Sequence, residues 1–165
     1  MERVFGVPVI NLYGSSETGH LLVEHHDVML VSPETAILEN TAAEGIGELL
    51  VTTLTNPYLP LLRYEVGDFV ERTPDGYRVH GRKRDALRGA EGRILTTRMI
   101  DQAFNGIGGI AHYQLRQKAD GSAHLFLLPE AKGDSLTEAQ AKLTTELSRL
   151  LGITVTAESV SLIAP

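Results

Sequence analysis

A change of periodicity near residue 85 constrains the fold of this chain more than any single motif. Up to that point short apolar runs alternate with turn residues, and almost no helical spacing is present. Beyond Arg88 apolar residues recur at three- and four-residue intervals, the spacing that builds one helix face. The pattern predicts an α+β protein with a mostly β first part, residues 1–85, and a small two-layer β-α-β-β-α-β module, residues 86–165. A hinge or linker is expected between Gly81 and Gly92.

Each part carries local signals with a physical cause. Gly47-Glu48-Leu49-Leu50-Val51-Thr52-Thr53-Leu54 reads as a strand closed by the turn-initiating pair Asn56-Pro57. Phe69-Val70-Glu71-Arg72 and Tyr77-Arg78-Val79-His80 flank Pro74-Asp75-Gly76, which predicts a hairpin. In the second part Met99, Ile100, Ala103 and Phe104 share a helix face that ends at Asn105-Gly106. Two strands follow, joined near the hairpin dipeptide Asp120-Gly121. A longer helix is predicted from the capping-box pair Ser135 and Glu138, the stripe Leu136, Ala139, Leu143, Leu147 and Leu150, and Gly152 at C′. Arg93-Ile94-Leu95 supplies the first strand of the module, and residues 153–156 and 160–163 resume strand patterning. No internal repeat is visible.

Composition narrows the chemistry. The chain has 165 residues, no cysteine and a formal charge of -6, so disulfides, thiolate metal sites and cysteine nucleophiles are excluded. An acidic protein is a poor match to a nucleic-acid backbone, and Arg82-Lys83-Arg84 suits a small anion better. No apolar run approaches the roughly 20 residues that span a bilayer, and the first residues lack a signal-peptide pattern. The expectation is a cytoplasmic protein without membrane or nucleic-acid partners.

Three segments carry possible chemistry. Tyr13-Gly14-Ser15-Ser16-Glu17-Thr18-Gly19 is a glycine-flanked, hydroxyl-rich turn after the apolar run Val7-Pro8-Val9-Ile10-Asn11-Leu12. A turn ending a buried strand is where open α/β sheets place ligands. Its hydroxyls and backbone N–H groups suit an anion and Glu17 suits a divalent cation. Leu61-Leu62-Arg63-Tyr64-Glu65-Val66-Gly67-Asp68 is expected to end a strand with Asp68 aimed at sugar hydroxyls. Gly81-Arg82-Lys83-Arg84-Asp85 offers a guanidinium followed by a carboxylate.

In that order the segments resemble the adenylate-forming enzymes, a family that includes acyl- and aryl-CoA ligases. Y-G-S-S-E at 13–17 stands against the family's Y-G-x-T-E, R-Y-E-V-G-D at 63–68 against Y-x-x-G-D, and G-R-x-x-D at 81–85 is the third motif. Thr97-Arg98-Met99-Ile100-Asp101 after Gly92 is similar to the phenylacetate-CoA ligase branch. The resemblance implies that the chain is the C-terminal part of such an enzyme: the last, barrel-like portion of the large AMP-binding domain, then the small mobile domain. It implies ATP/AMP, Mg²⁺ and coenzyme A as ligands, with a small apolar or aromatic carboxylate as substrate. Tyr13 would lie against the adenine, with Gly14 and Ser15 in the same nucleotide-binding turn. Ser16 would contact the α-phosphate, Glu17 hold Mg²⁺, Asp68 bind the ribose, Arg82 approach ribose or phosphate, and Asp85 act as the pivot. An acyl-adenylate would form first and coenzyme A would then displace AMP.

Family members also carry an upstream phosphate loop and a C-terminal catalytic lysine, and neither motif is in these 165 residues. Lys118, Lys132 and Lys142 read as surface lysines. The expectation is therefore a fragment or truncated relative, with no catalytic residue of its own, inactive in adenylation alone. It would associate with the family's N-terminal portion or form a homodimer. Two other readings stay open: a non-catalytic ligand-binding or dimerisation module with an ACT-like or ferredoxin-like half, and a metal site at His20, His25, His26 and Asp27. His25 and His26 would point to opposite faces of an extended strand. Gly106-Ile107-Gly108-Gly109 reads as a loop rather than a dinucleotide fingerprint.

Overall fold

The computed structural model describes residues 2–26, 28–130 and 136–163. The chain forms two compact units, one ending at Arg84 and one beginning at Asp85.

The first unit opens with the short helix α1 (Glu2–Phe5) and continues as strands β1 (Leu12–Ser15), β2 (Gly19–His25), β3 (Val28–Val31), β4 (Ala36–Asn40), β5 (Ile46–Thr53), β6 (Tyr64–Thr73) and β7 (Gly76–Arg82). They make one seven-stranded sheet in the order β1-β2-β3-β7-β6-β5-β4, and every pairing is antiparallel. The expected hairpin is present, with Thr73 paired to Gly76 around Pro74-Asp75. Leu21, Leu22, Leu38, Leu49, Val51, Val66 and Val70 pack into one core.

Two hydrogen bonds show that this sheet is curled. In a flat sheet β1 and β6, four strands apart, would be separated by roughly 19 Å, more than a tyrosine and an aspartate can bridge. Yet the Tyr13 hydroxyl on β1 donates to Asp68 Oδ2 on β6 at 2.5 Å. Likewise Tyr77 on β7 donates to the Leu38 carbonyl on β4, three strands away, at 3.0 Å. The barrel-like expectation thus meets a curled sheet in which, among the described residues, the end strands β1 and β4 do not pair.

Two predictions are corrected here. Asp68 does not end a strand; it lies inside β6, where the register shifts between Glu48↔Phe69 and Leu50↔Glu65. Gly67 at φ +84° sits in that irregularity, as expected of a bulge that re-aims the following side chain. The apolar run 7–12 is not a buried strand, because only Leu12 belongs to β1 and Val7, Val9, Ile10 and Leu12 are 43–64% exposed.

The second unit contains a two-stranded ribbon, β8 (Leu87–Arg88) with β9 (Ile94–Leu95), then α2 (Thr97–Ala103), β10 (Ile110–Gln117), β11 (Ala123–Pro129), α3 (Leu136–Leu151) and β12 (Val155–Ser159). Strands β10 and β11 pair antiparallel through the Asp120-Gly121 turn, and β11 pairs parallel with β12. A parallel neighbour requires a crossover, and α3 provides it. The first predicted strand joins β8 instead of the main sheet, so the module rests on three strands in the order β10-β11-β12. The predicted strand at 160–163 is absent, and the last strand spans Val155–Ser159.

Helix α3 buries Leu143, Leu147 and Leu151 against Leu125, Leu127 and Val155, and Ala139 is buried on the same helix. Gly152 follows it at φ +67° with its N–H on the Ser148 carbonyl, a left-handed C-cap. The predicted cap residue Ser135 lies outside the described residues; its partner Glu138 pairs with Lys142 at 2.7 Å. Thr96 caps α2, its Oγ1 accepting from the Met99 N–H.

Candidate functional site

The turn between β1 and β2 is set by hydroxyls and by close approach. Ser15 Oγ lies 2.9 Å from Thr18 Oγ1 and accepts the Thr18 N–H at 3.3 Å, a local side-chain turn. Gly19 has φ +68°, the conformation expected of a glycine here. Gly14 matters for another reason: a Cβ there would lie 2.1 Å from the Gly19 carbonyl oxygen. Ser16 and Glu17 are exposed at the tip. The Ser15 hydroxyl, with a smaller contribution from the Arg82 charge, holds the Glu17 carboxyl below the ordinary carboxylate range.

Asp68 is the centre of the arrangement. It is buried, at 4% exposure, and a buried carboxylate must find donors. The Tyr13 hydroxyl takes Oδ2, and Arg82 Nε lies 3.2 Å from Oδ1. Arg82 Nη1 also donates to the Val66 carbonyl at 3.2 Å. The register supports this, since Asp68 and Arg82 are direct partners across β6 and β7. Burial, and then the hydrogen bond to Asp68, push the Tyr13 phenol far above its ordinary value, so it stays a protonated donor.

Tyr13, Asp68 and Arg82, one from each predicted segment, therefore meet at one carboxylate. Gly14 and Ser15 build the turn beside them, while Ser16 and Glu17 face solvent. Asp85 is exposed on the 3-10 turn Lys83–Asp85. The hydrogen bond of the Tyr13 hydroxyl was not foreseen, because nothing local to Tyr-Gly-Ser-Ser reports a partner 55 residues away. Thr18 was missed as a turn-closing residue, although its three-residue spacing from Ser15 is the pattern of such turns.

The histidine alternative is corrected in its geometry. His26 adopts φ +43° and leaves the extended conformation, so the rings of His25 and His26 stand 4.3 Å apart instead of on opposite faces. Asp27 lies outside the described residues. Among the described residues no group of three or more His, Cys, Asp or Glu side chains is placed to hold a metal ion. A lone exposed carboxylate such as Glu17 suits Mg²⁺ only together with phosphate oxygens and water, which is how that ion is commonly held. No helix among the described residues is long and apolar enough to cross a membrane.

The fold has known counterparts. A 2-hydroxyisobutyryl-CoA ligase in complex with 2-HIB-AMP matches 99% of this chain and 42% of its own, with a TM-score of 0.76 at 18% identity. The o-succinylbenzoate-CoA synthetase of Bacillus subtilis in complex with its acyl-adenylate OSB-AMP matches 99% of this chain and 40% of its own, with a TM-score of 0.69 at 14% identity. The fold is thus that of a part of the adenylate-forming CoA ligases. By sequence the chain is similar to protein CapK of Staphylococcus aureus, 35% identical over 117 residues that cover 63% of this chain and 26% of CapK. It spans about a quarter of that relative and about two fifths of those ligases. No family model matches it.

Proposed function

We propose that this chain supplies one wall of the nucleotide site of an AMP-forming acyl- or aryl-CoA ligase. The convergence of Tyr13, Asp68 and Arg82 on a single buried carboxylate carries the reading. Asp68 offers a fixed, ionised acceptor suited to vicinal sugar hydroxyls, and Arg82 supplies charge for a ribose or an α-phosphate. The tyrosine ring presents an apolar surface for a base, and the exposed Ser16 suits a phosphate oxygen. Glu17 would hold a Mg²⁺ ion that neutralises phosphate charge, and its position beside the same turn fits that use.

The first unit corresponds, in this reading, to the end of the large AMP-binding domain. The second, from Asp85 onward, corresponds to the small domain that turns about the hinge between formation of the acyl-adenylate and displacement of AMP by coenzyme A. The phenylacetate-CoA ligase branch remains the preferred relative within the family. The complete reaction is not assigned to these 165 residues, because the ligases that share the fold are more than twice as long.

Isothermal titration with AMP tests the binding claim: the chain is expected to bind AMP, and Asp68→Ala to abolish binding. Equal affinity in the two proteins removes Asp68 from the site. Carboxylate-dependent exchange of pyrophosphate into ATP is expected to be absent for the chain alone. Exchange at a ligase-like rate would overturn that part of the proposal.

A further inference from the structure

The Asp68 carboxylate is held closed. Its side chain is 5% exposed, with Oδ1 engaged by Arg82 and Oδ2 by the Tyr13 hydroxyl. Each oxygen keeps a further lone pair, but with so little of the group exposed a ligand hydroxyl gains full access when one donor gives way.

The two donors are not equivalent. Withdrawing Arg82 would leave an anion buried without its counter-charge, the more unfavourable change, and Arg82 is also anchored to the Val66 carbonyl. Tyr13 is neutral and partly buried. It stands on β1, an end strand whose outer edge pairs with no other strand among the described residues. Exchanging a phenol O–H for a sugar O–H leaves both the charge balance and the number of hydrogen bonds at Asp68 unchanged.

We propose that Tyr13 is a displaceable latch: without ligand its hydroxyl occupies the acceptor on Asp68 that the ribose of a nucleotide takes, and binding exchanges one hydroxyl for the other. This rests on the nucleotide reading above. Burial and the neighbouring Asp68 hold the phenol protonated, so the latch is opened by competition, not by loss of the tyrosine proton.

Titration of the full chain with AMP and with 2′,3′-dideoxy-AMP tests the idea in wild type, Tyr13→Phe and Asp68→Asn. Removing the competitor for a charged acceptor is expected to tighten AMP about tenfold in Tyr13→Phe and to leave the dideoxy analogue unchanged. Wild type preferring AMP to the analogue and Asp68→Asn losing that preference, with no gain in Tyr13→Phe, overturns the latch and keeps the nucleotide reading. Equal affinity for AMP and the analogue in both wild type and Tyr13→Phe, or binding of neither, overturns both.

A second readout uses the unsubstituted protein and decides the matter if the phenylalanine variant does not fold. The ¹³Cζ resonance of Tyr13, which reports its hydroxyl partner, is expected to shift further at AMP saturation than with the dideoxy analogue, which places the same base on the ring. Equal shifts with the two nucleotides refute the exchange.

Discussion

Substituting Gly14 by alanine tests how the turn and the carboxylate are coupled. The added Cβ would lie 2.1 Å from the Gly19 carbonyl oxygen, 2.9 Å from its carbon and 3.0 Å from His20 Cα. All three are backbone atoms of β2, so no side chain can rotate away. Carbon–oxygen contacts settle near about 3.3 Å, and β1 and β2 must part by roughly 1 Å. Hydrogen bonds stretched by that much fail the geometric limits, and Tyr13, one residue back, moves with the strand. Overpacking of this kind costs about 1–3 kcal/mol, and loss of a hydrogen bond to a charged group about 1.5–3 kcal/mol. The expected destabilisation of the first unit is therefore about 2.5–6 kcal/mol. Gly19→Ala is the control: nothing lies within 4 Å of its Cβ, and only the positive φ opposes it, at about 1–2 kcal/mol. Urea denaturation followed by tyrosine emission measures both, since the chain contains no tryptophan. If Gly14→Ala loses no more stability than Gly19→Ala, the close-approach reasoning is wrong.

Leu147 is fully buried between α3 and the sheet of the second unit; Leu147→Ala is expected to remove about 3–5 kcal/mol by circular dichroism during urea titration, and a loss under 1 kcal/mol would contradict the assigned core. Ser15→Ala is expected to raise the Glu17 titration midpoint, read by NMR, because the Ser15 hydroxyl is the largest cause of its depression. A depressed carboxylate favours folding above its unfolded value of about 4.3 and loses that contribution as pH falls through the folded pKa, so the wild-type turn should weaken on acidification below that value and the variant's turn should show less of this pH dependence. An unchanged midpoint removes Ser15 as the cause.

Helix α3 was legible because its signals are local: an apolar stripe at three- and four-residue spacing and a glycine that closes it. The hairpins at Pro74-Asp75 and Asp120-Gly121 were legible for the same reason. Strands β2, β3 and β4 were not, since they are short and their alternation is broken by turn residues. The run from Val7 to Leu12 looked like a buried strand, but apolar composition is a local property and burial requires a surface opposite. Val7, Val9, Ile10 and Leu12 stay 43–64% exposed. The bulge at Gly67 was invisible because register is set by the partner strand. The three motifs each hold one of the residues that the fold brings together, Tyr13, Asp68 and Arg82, while the bond from Tyr13 to Asp68 depends on the curl of the whole sheet.

That curl has a kinetic consequence. Tyr13 and Asp68 are separated by 55 positions, and Tyr77 and Leu38 by 39, so both contacts close long loops late and at high entropic cost. No hairpin of the first unit, formed alone, contains the carboxylate with its two donors. The three groups meet only when β1 has docked beside the paired strands β6 and β7. An assembly intermediate with β6 and β7 paired would already hold Asp68 beside Arg82, and the arrival of Tyr13 would mark the end of folding of the unit.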